Sequence, residues 1–447
     1  MPPLSLFSPS VVWTAALIVS IDIVIVSLLH FQASFPQIPT LWTNNFTTIA
    51  VDVDSTTRRL VDWQIILSND TPYSNVVPQL NVVWSRGWYT TKLFPGWIPI
   101  MYYNSMPSEK GRFWHHWNMN DIFQPYNHSF SNQYLWVRRE ADFDDYFRKH
   151  IWSANVTNLT LVTTDGDGDL PNNGRMSCEL LAATSNTNNN NGKLTAWYTQ
   201  NMVWWDHPKV KPLPIGLDLH TPFSKGGETP VDIVHTLQNI TATLDPTTFR
   251  PARILYDHGT TITGNNEDLR RTLARQELAN AIETCIMNDT TSITSKSSSQ
   301  SLFHIMNWTD NKISAWKLYG SLQFGLAPTG MGWDTHRMWE FLFFGTIPIV
   351  KSSPLDILII EAHVPVIILQ DWSELCTFNT TEMIQVYGSG WIQRAHEWLL
   401  PGLWLPRNQS KMNEICDSIP HCKSVYEKRK HLLEKWKAPS NKCNSFL

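Results

Sequence analysis

This chain is short of charge: Asp, Glu, Lys and Arg make up 17% of its 447 residues, against 42% hydrophobic. That balance excludes disorder and coiled coil, both of which depend on abundant charge. A basic excess is missing too, since 35 Lys plus Arg face 39 Asp plus Glu for a net charge of −4. Nucleic acid is left without an electrostatic footprint and is not an expected partner. Cysteine is sparse, with six residues and no C-x-x-C pair, and His421 beside Cys422 has no partners at metal spacing, which disfavours zinc. No repeat of solenoid length is present. Lys and Arg are absent from the opening MPPLSLFSPS, which therefore lacks the basic start of a cleaved signal peptide.

Against these absences stand a length that allows two or three domains at about 150 residues each, and 22 Trp. That is more Trp than core packing requires, because Leu, Ile and Val fill cores without an N–H to satisfy. The rings are either buried in a large fold or offered as platforms for sugar faces. Val11 to Leu29 (VVWTAALIVSIDIVIVSLL) carries one acid, Asp22, and is just long enough to cross a hydrocarbon core. We read a short tail over 1–10, an uncleaved transmembrane signal anchor over 11–30 and a Pro-, Thr- and Asn-containing stem over 31–60. The nearest downstream basic residues, Arg58 and Arg59, are too far away to set orientation.

Orientation is read instead from N-glycosylation acceptors at Asn45, Asn69, Asn127, Asn155, Asn158, Asn239, Asn288, Asn307, Asn379 and Asn408. Their spread, with an even set of cysteines, predicts a luminal body and a single-pass type II protein of the Golgi or endoplasmic reticulum membrane. Cys416 and Cys422 are expected to be disulfide-bonded, to each other or to Cys443.

Two polar stretches, Thr184 to Gly192 and Asp289 to Ser301, read as surface loops. Elsewhere apolar runs alternate with helical patterns. Leu159 to Thr164 and Arg253 to Tyr256 read as strands, and Asn266 to Cys285 as an amphipathic helix with Leu269, Leu273, Leu278 and Ile282 inward. Towards the C-terminus the order is a strand (Phe324 to Ala327), a Gly-containing loop (Pro328 to Thr335), a helix (His336 to Phe344) ended by Gly345, and a strand (Thr346 to Lys351). A connection over Pro354 to Ala362 leads to a third strand, Val364 to Leu369. This is the skeleton of a doubly wound α/β half-domain with a parallel sheet, and the tail after Ser373 is expected to pack back across it as helix and strand.

In such sheets ligands sit beyond the carboxyl ends of the strands, where this chain places Gly330, Gly332 and the N-terminus of the following helix. Glycines allow close backbone approach to an anion, and a helix N-terminus favours negative charge, so a diphosphate fits there. Arg337 offers a planar fork for phosphate oxygens, and Glu340, at i+3, an acceptor suited to paired ribose hydroxyls. The same two residues also suit an ordinary ion pair on a solvated face. His336 is either a hydrogen-bond or proton donor to a leaving phosphate or a contact at the helix start. Asp165, Asp167 and Asp169 fail as an EF-hand, because the sixth position is Leu170 and the twelfth Met176. Asp165 and Asp167 are the weak candidates for a catalytic base, with a plain Asp/Gly turn as the alternative. Asp218 and His220 are further cleft candidates, and His207-Pro208 reads as a turn.

The wider pattern, Phe324-x-Leu326-x-Pro328-x-Gly330 followed by Arg337-x-x-Glu340-x-Leu342-x-x-Gly345-x-Ile347-Pro348-Ile349, resembles the nucleotide-sugar half of exostosin-like glycosyltransferases. The similarity continues through Lys351, Leu355-Asp356 and Pro365-Val366-Ile367 to Asp371-Trp372-Ser373-Glu374. Weaker upstream blocks are Trp136 to Phe147, Thr163 to Asp167, Trp197 to Asn201 and His207 to His220. Thr329 stands where many members carry a basic residue.

The resemblance implies a GT-B arrangement: two Rossmann-like domains facing a cleft, an acceptor side over 61–250 and a donor side over 251–447. It also implies a UDP- or GDP-sugar donor, a glycan or glycoprotein acceptor, and no required cofactor or metal. Arg337 would meet the diphosphate and Glu340 the ribose. Two rivals make other demands. An inactive relative would bind glycans or a partner enzyme through Trp-rich surface, and a metal-dependent enzyme would use Asp165 and Asp167.

Overall fold

The computed structural model describes residues 65–66, 79–80, 82–85, 87–89, 134–138, 159–164, 166–170, 194–203, 208–219, 221, 228, 230–244, 250–256, 269–291, 302–306, 312–387, 391 and 394–437. All of them fall in one compact unit, Arg58–Leu447. The expected tail, anchor and stem lie outside the described residues. Among the described residues no helix is long and apolar enough to cross a membrane.

A two-residue antiparallel ribbon, β1 (Ile65–Ile66) with β2 (Gln79–Leu80), comes first. Next is a parallel sheet of β3 (Tyr134–Arg138), β4 (Leu159–Thr164), β5 (Leu194–Thr199) and β6 (Val210–Pro212), ordered 3-4-5-6. Every residue of β4 is buried, as a strand covered on both faces must be, and its near-continuous Leu/Val/Thr content matches that position. Its bounds coincide with the sequence reading.

Helix α1 (Pro230–Thr243) turns Ile233, Val234, Leu237 and Ile240 inward at helical spacing. The second sheet then runs β7 (Ile254–Tyr256), α2 (Leu269–Thr291), β8 (Phe303–Ile305), α3 (Lys312–Tyr319), β9 (Phe324–Leu326), α4 (His336–Phe343), β10 (Ile347–Lys351), α5 (Asp356–Ala362) and β11 (Ile367–Leu369). Its order is 11-10-9-7-8, and every pairing is parallel. Gly345, at φ +70°, ends α4. The chain is therefore mixed α/β with two parallel sheets, and the expected strand-loop-helix-strand skeleton is present.

The inward face expected of α2 is corrected in part. Leu278, Ile282 and Cys285 are buried, but Leu269 and Leu273 are 64% and 55% exposed. At about 100° per residue, Leu269 lies about 180° and Leu273 about 140° around the helix from Leu278. One apolar stripe cannot hold all four. The helix also starts at Leu269 and runs on to Thr291, later at both ends than read. Cys285 bonds Cys376, fastening α2 to the short helix Trp372–Thr377, and Cys416 bonds Cys422. Cys178 and Cys443 lie outside the described residues.

The tail after Ser373 is corrected too, because among the described residues it is helical and contains no strand. Trp398 Nε1 donates to Ala362 O at 2.8 Å, and Arg429 Nη1 to Val366 O at 3.0 Å. Val83 N donates to Leu399 O at 2.7 Å, so the tail reaches the first sheet's half as well. Nine Trp, at 84, 88, 197, 316, 339, 372, 391, 398 and 404, are almost wholly buried. Those rings are core, and none of them is a platform for a sugar face.

Candidate functional site

Strand order places the site. The chain passes from β7 outward to β8 and then returns beyond β7 to β9, so the order reverses between β7 and β9. Crevices for ligands open at the carboxyl ends of strands at such a switch point. The segment leaving β9 there is the loop 327–335, which leads into α4.

That loop is held against the first sheet's half by Asp334 and Asn201. Asp334 is 2% exposed and accepts hydrogen bonds from Ile215 N (2.7 Å) and Trp339 Nε1 (2.8 Å). Its own N–H donates to Asn201 Oδ1 at 3.0 Å, while Asn201 Nδ2 donates to Gly166 O at 3.1 Å. Burial pushes the Asp334 carboxyl up to about 6, against the pull of the hydrogen bonds from Ile215 and Trp339. Gly332 is required by the same contact, because a Cβ there would lie 2.7 Å from Asn201 Nδ2. Gly330 has no such constraint: a Cβ would meet only Thr335 Cγ2, at 3.4 Å. On the facing side Gly216, at φ +70°, approaches Val83 O so closely that a Cβ would lie 2.1 Å from it.

His336 Nδ1 lies 2.8 Å from Gly216 O. A carbonyl oxygen only accepts, so Nδ1 is the donor in this contact. Arg337, in the first turn of α4, donates from Nε to the Tyr319 hydroxyl at 3.2 Å. Glu340 is 6% exposed. Burial raises its pKa, the nearby Lys312 lowers it, and Asp218 raises it again, with smaller lowering by His336 and Arg337. Lys312 sits between the two acids, 2.8 Å from Asp218 Oδ2 and 3.9 Å from Glu340 Oε1. Its ammonium also lies 5.0 Å from the centre of the Trp316 ring.

His336, Arg337 and Glu340 are thus carried on one helix, α4, that the loop holding Gly330 and Gly332 leads into, and Lys312 links Glu340 to Asp218 of the first half. The acids after β4 behave differently. Asp167 is exposed, and Asp169 makes a two-pronged pair with Arg270 at 3.1 and 3.2 Å. Arg270 in turn stacks 4.1 Å from the centre of the Trp333 ring and donates to Met331 O at 3.2 Å. Asp165, His207 and His220 lie outside the described residues. Among the described residues no group of three His, Cys, Asp or Glu could hold a metal ion. Of the glycosylation acceptors, Asn239, Asn379 and Asn408 are exposed, and the Oδ1 atoms of Asn379 and Asn408 accept from Glu382 N and Lys411 N. The side chains of the other seven lie outside the described residues.

Sequence reasoning missed Lys312, Asn201 and Asp334 as members of the site. Asn201 closes one of the motif blocks and Asp334 lies inside the loop, but neither residue type signals its partner across the chain. Lys312 had no local signal at all.

No family model matches this chain, and no curated protein matches it. Among solved structures it is similar to a UDP-forming α,α-trehalose-phosphate synthase from Burkholderia vietnamiensis, at 9% identity and TM-score 0.32, over 70% of this chain and 75% of that one. It is similar to the corresponding synthase from Burkholderia xenovorans at 10% and 0.32, over 72% and 76%. It is also similar to TarM at 11% and 0.28, over 68% of this chain and 55% of that one. Likenesses at such identities and scores carry no chemistry to this chain, which rests on its own residues.

Proposed function

We propose that this chain is a glycosyltransferase of the GT-B arrangement that moves a sugar from a UDP- or GDP-sugar to a glycan or glycoprotein hydroxyl. The observation that carries the reading is the convergence at the switch point. Gly330, Gly332, His336, Arg337 and Glu340 gather beyond β9, and Asp218 and Gly216 face them from the first half. The resemblance of Phe324 to Glu374 to the donor half of exostosin-like enzymes points the same way.

The chemistry follows from those groups. When the donor's glycosidic bond breaks, negative charge grows on the departing nucleoside diphosphate. Arg337, the N-terminus of α4 and His336 supply fixed positive charge and donors where that charge develops, and preorganised groups need no rearrangement at that moment. Glu340, ionised, accepts from the paired hydroxyls of the ribose and fixes the nucleotide's position. An acceptor hydroxyl must surrender a proton, which Asp165 or Asp167 would take from the loop after β4. No metal is needed in this scheme.

We place the protein in the Golgi or endoplasmic reticulum membrane, held by Val11–Leu29 with its body luminal. Support comes from the Cys285–Cys376 and Cys416–Cys422 bonds, which suit an oxidising compartment, and from the exposed acceptors Asn239, Asn379 and Asn408. The test is nucleoside diphosphate release from a panel of nucleotide sugars by the full-length chain in mild detergent, beside Arg337→Ala and Glu340→Ala. Release from one donor, lost in both variants and indifferent to chelator, supports the reading. No release from any donor, with no thermal stabilisation by any of them, overturns it. Loss of release on chelation overturns the metal-free scheme.

A further inference from the structure

A buried carboxyl group accepts most strongly from both hydroxyls of a ribose diol when it is ionised, and the surroundings of Glu340 work against that. It is 6% exposed, and Asp218, a second carboxylate, stands close enough to raise its pKa further. Two neighbouring acids disfavour each other's ionisation, and a cation between them relieves that repulsion. The basic side chains facing Glu340 are Lys312 from α3 and, on its own helix, Arg337 and His336. Arg337 is partly turned to the Tyr319 hydroxyl and His336 to Gly216 O. Lys312 contacts both acids. Its Nζ donates to Asp218 Oδ2 at 2.8 Å and to Asp218 O at 3.3 Å, and lies 3.9 Å from Glu340 Oε1.

We propose that Lys312 is a positioning residue of the nucleotide site: clamped between Asp218 of the first half and Glu340 of the second, it holds the Glu340 carboxylate ionised and oriented as the acceptor for a nucleoside diphosphate's ribose diol. The inference rests on the proposed function and deepens it. Lys312 does not itself meet the ligand. It acts through Glu340, and it ties the ionisation of the nucleotide-binding carboxylate to contact between the two halves.

The test is calorimetric titration of UDP and of GDP into the full-length chain in detergent between pH 5 and 8.5. It compares wild type, Lys312→Met, Lys312→Arg, Glu340→Gln and the Lys312→Met/Glu340→Gln double variant. In wild type, affinity falls on the acid side as Glu340 takes up a proton. Lys312→Met moves that acid limb upward by about one pH unit or more, the size of a lost neighbouring charge. Affinity then falls by up to about tenfold per pH unit below the new midpoint. Lys312→Arg returns the limb to its wild-type place. Glu340→Gln weakens binding without an acid limb, and the double variant binds no worse than Glu340→Gln. A Lys312→Met loss that is uniform across pH and adds to that of Glu340→Gln contradicts the inference, because Lys312 would then contact the nucleotide directly. So does an unchanged Lys312→Met profile. Wild type that binds neither UDP nor GDP overturns the proposed function itself, and with it this inference.

Discussion

Two loops at the carboxyl ends of strands use acids in opposite ways. The loop after β4 carries Asp165, Asp167 and Asp169, of which Asp167 is exposed and Asp169 forms a half-exposed pair with Arg270. The loop after β9 carries one acid, Asp334, at 2% exposure, which accepts from both halves of the molecule. The acids of the first loop are conspicuous in the sequence, and Asp334 in the second is not. What separates them is enclosure: a carboxylate removed from water has to be satisfied by fixed donors, and those donors then fix the position of everything attached to it. Asp167 and Asp169 lie where water reaches them, whereas the solitary Asp334 ties the loop 327–335 in place.

The largest effect that would sharpen this contrast is on turnover. Arg337→Ala and Glu340→Ala, on the helix that Asp334 leads into, should each lower nucleoside diphosphate release by about a hundredfold or more. Asp167→Ala should slow release, while nucleotide affinity measured by titration stays as in wild type. Equal loss of nucleotide affinity in all three would erase the distinction between the loops.

The next effect is on stability. Gly332→Ala should displace the Asn201 amide and forfeit its bond to Asp334 N–H, lowering unfolding free energy in urea by about 1–3 kcal/mol. Gly330→Ala, with only Thr335 Cγ2 nearby, should change it by less than about 0.5 kcal/mol. Similar losses at both glycines would show that the Asn201 contact is not what demands Gly332.

A pH dependence distinguishes the acids directly. The Asp334 pKa is raised to about 6 in the folded chain, so the native state holds this proton more tightly than the unfolded one. Its contribution is fully present below the ordinary carboxylate pKa and is lost as pH rises through about 6. The stability of wild type relative to Asp334→Asn should therefore decline between pH 4 and 7, by roughly 1–3 kcal/mol. A difference that grows with pH would contradict the assigned burial. Smallest of all, Asp169→Asn should cost under about 1 kcal/mol and less in high salt, because both partners of that pair are about one-third exposed.

Much of the fold was legible because it is written locally. The Leu/Val/Thr run Leu159 to Thr164 has the length and content of a buried strand, and a helix from His336 puts Arg337 and Glu340, at i and i+3, on one face. The apolar stripe of α2 was misjudged because a long helix offers more Leu than one face can bury. The remainder lies in long-range contacts. Lys312 meets Asp218 across 94 positions, Asn201 meets Asp334 across 133, and Cys285 pairs with Cys376 across 91. No periodicity connects such partners. The short Cys416–Cys422 link, six positions apart, was legible. The Trp content was readable as a number and not as a role, since burial is decided by tertiary packing.

The measurement that bears most directly on the site is photolabelling of the full-length chain with an azido derivative of UDP or GDP, followed by mapping of the labelled peptides. Label confined to residues 327–343 and competed away by the unmodified nucleotide is expected, with labelling lost in Glu340→Ala. Saturable, competed label elsewhere, unaffected by Glu340→Ala, would contradict the placement of the donor beyond β9.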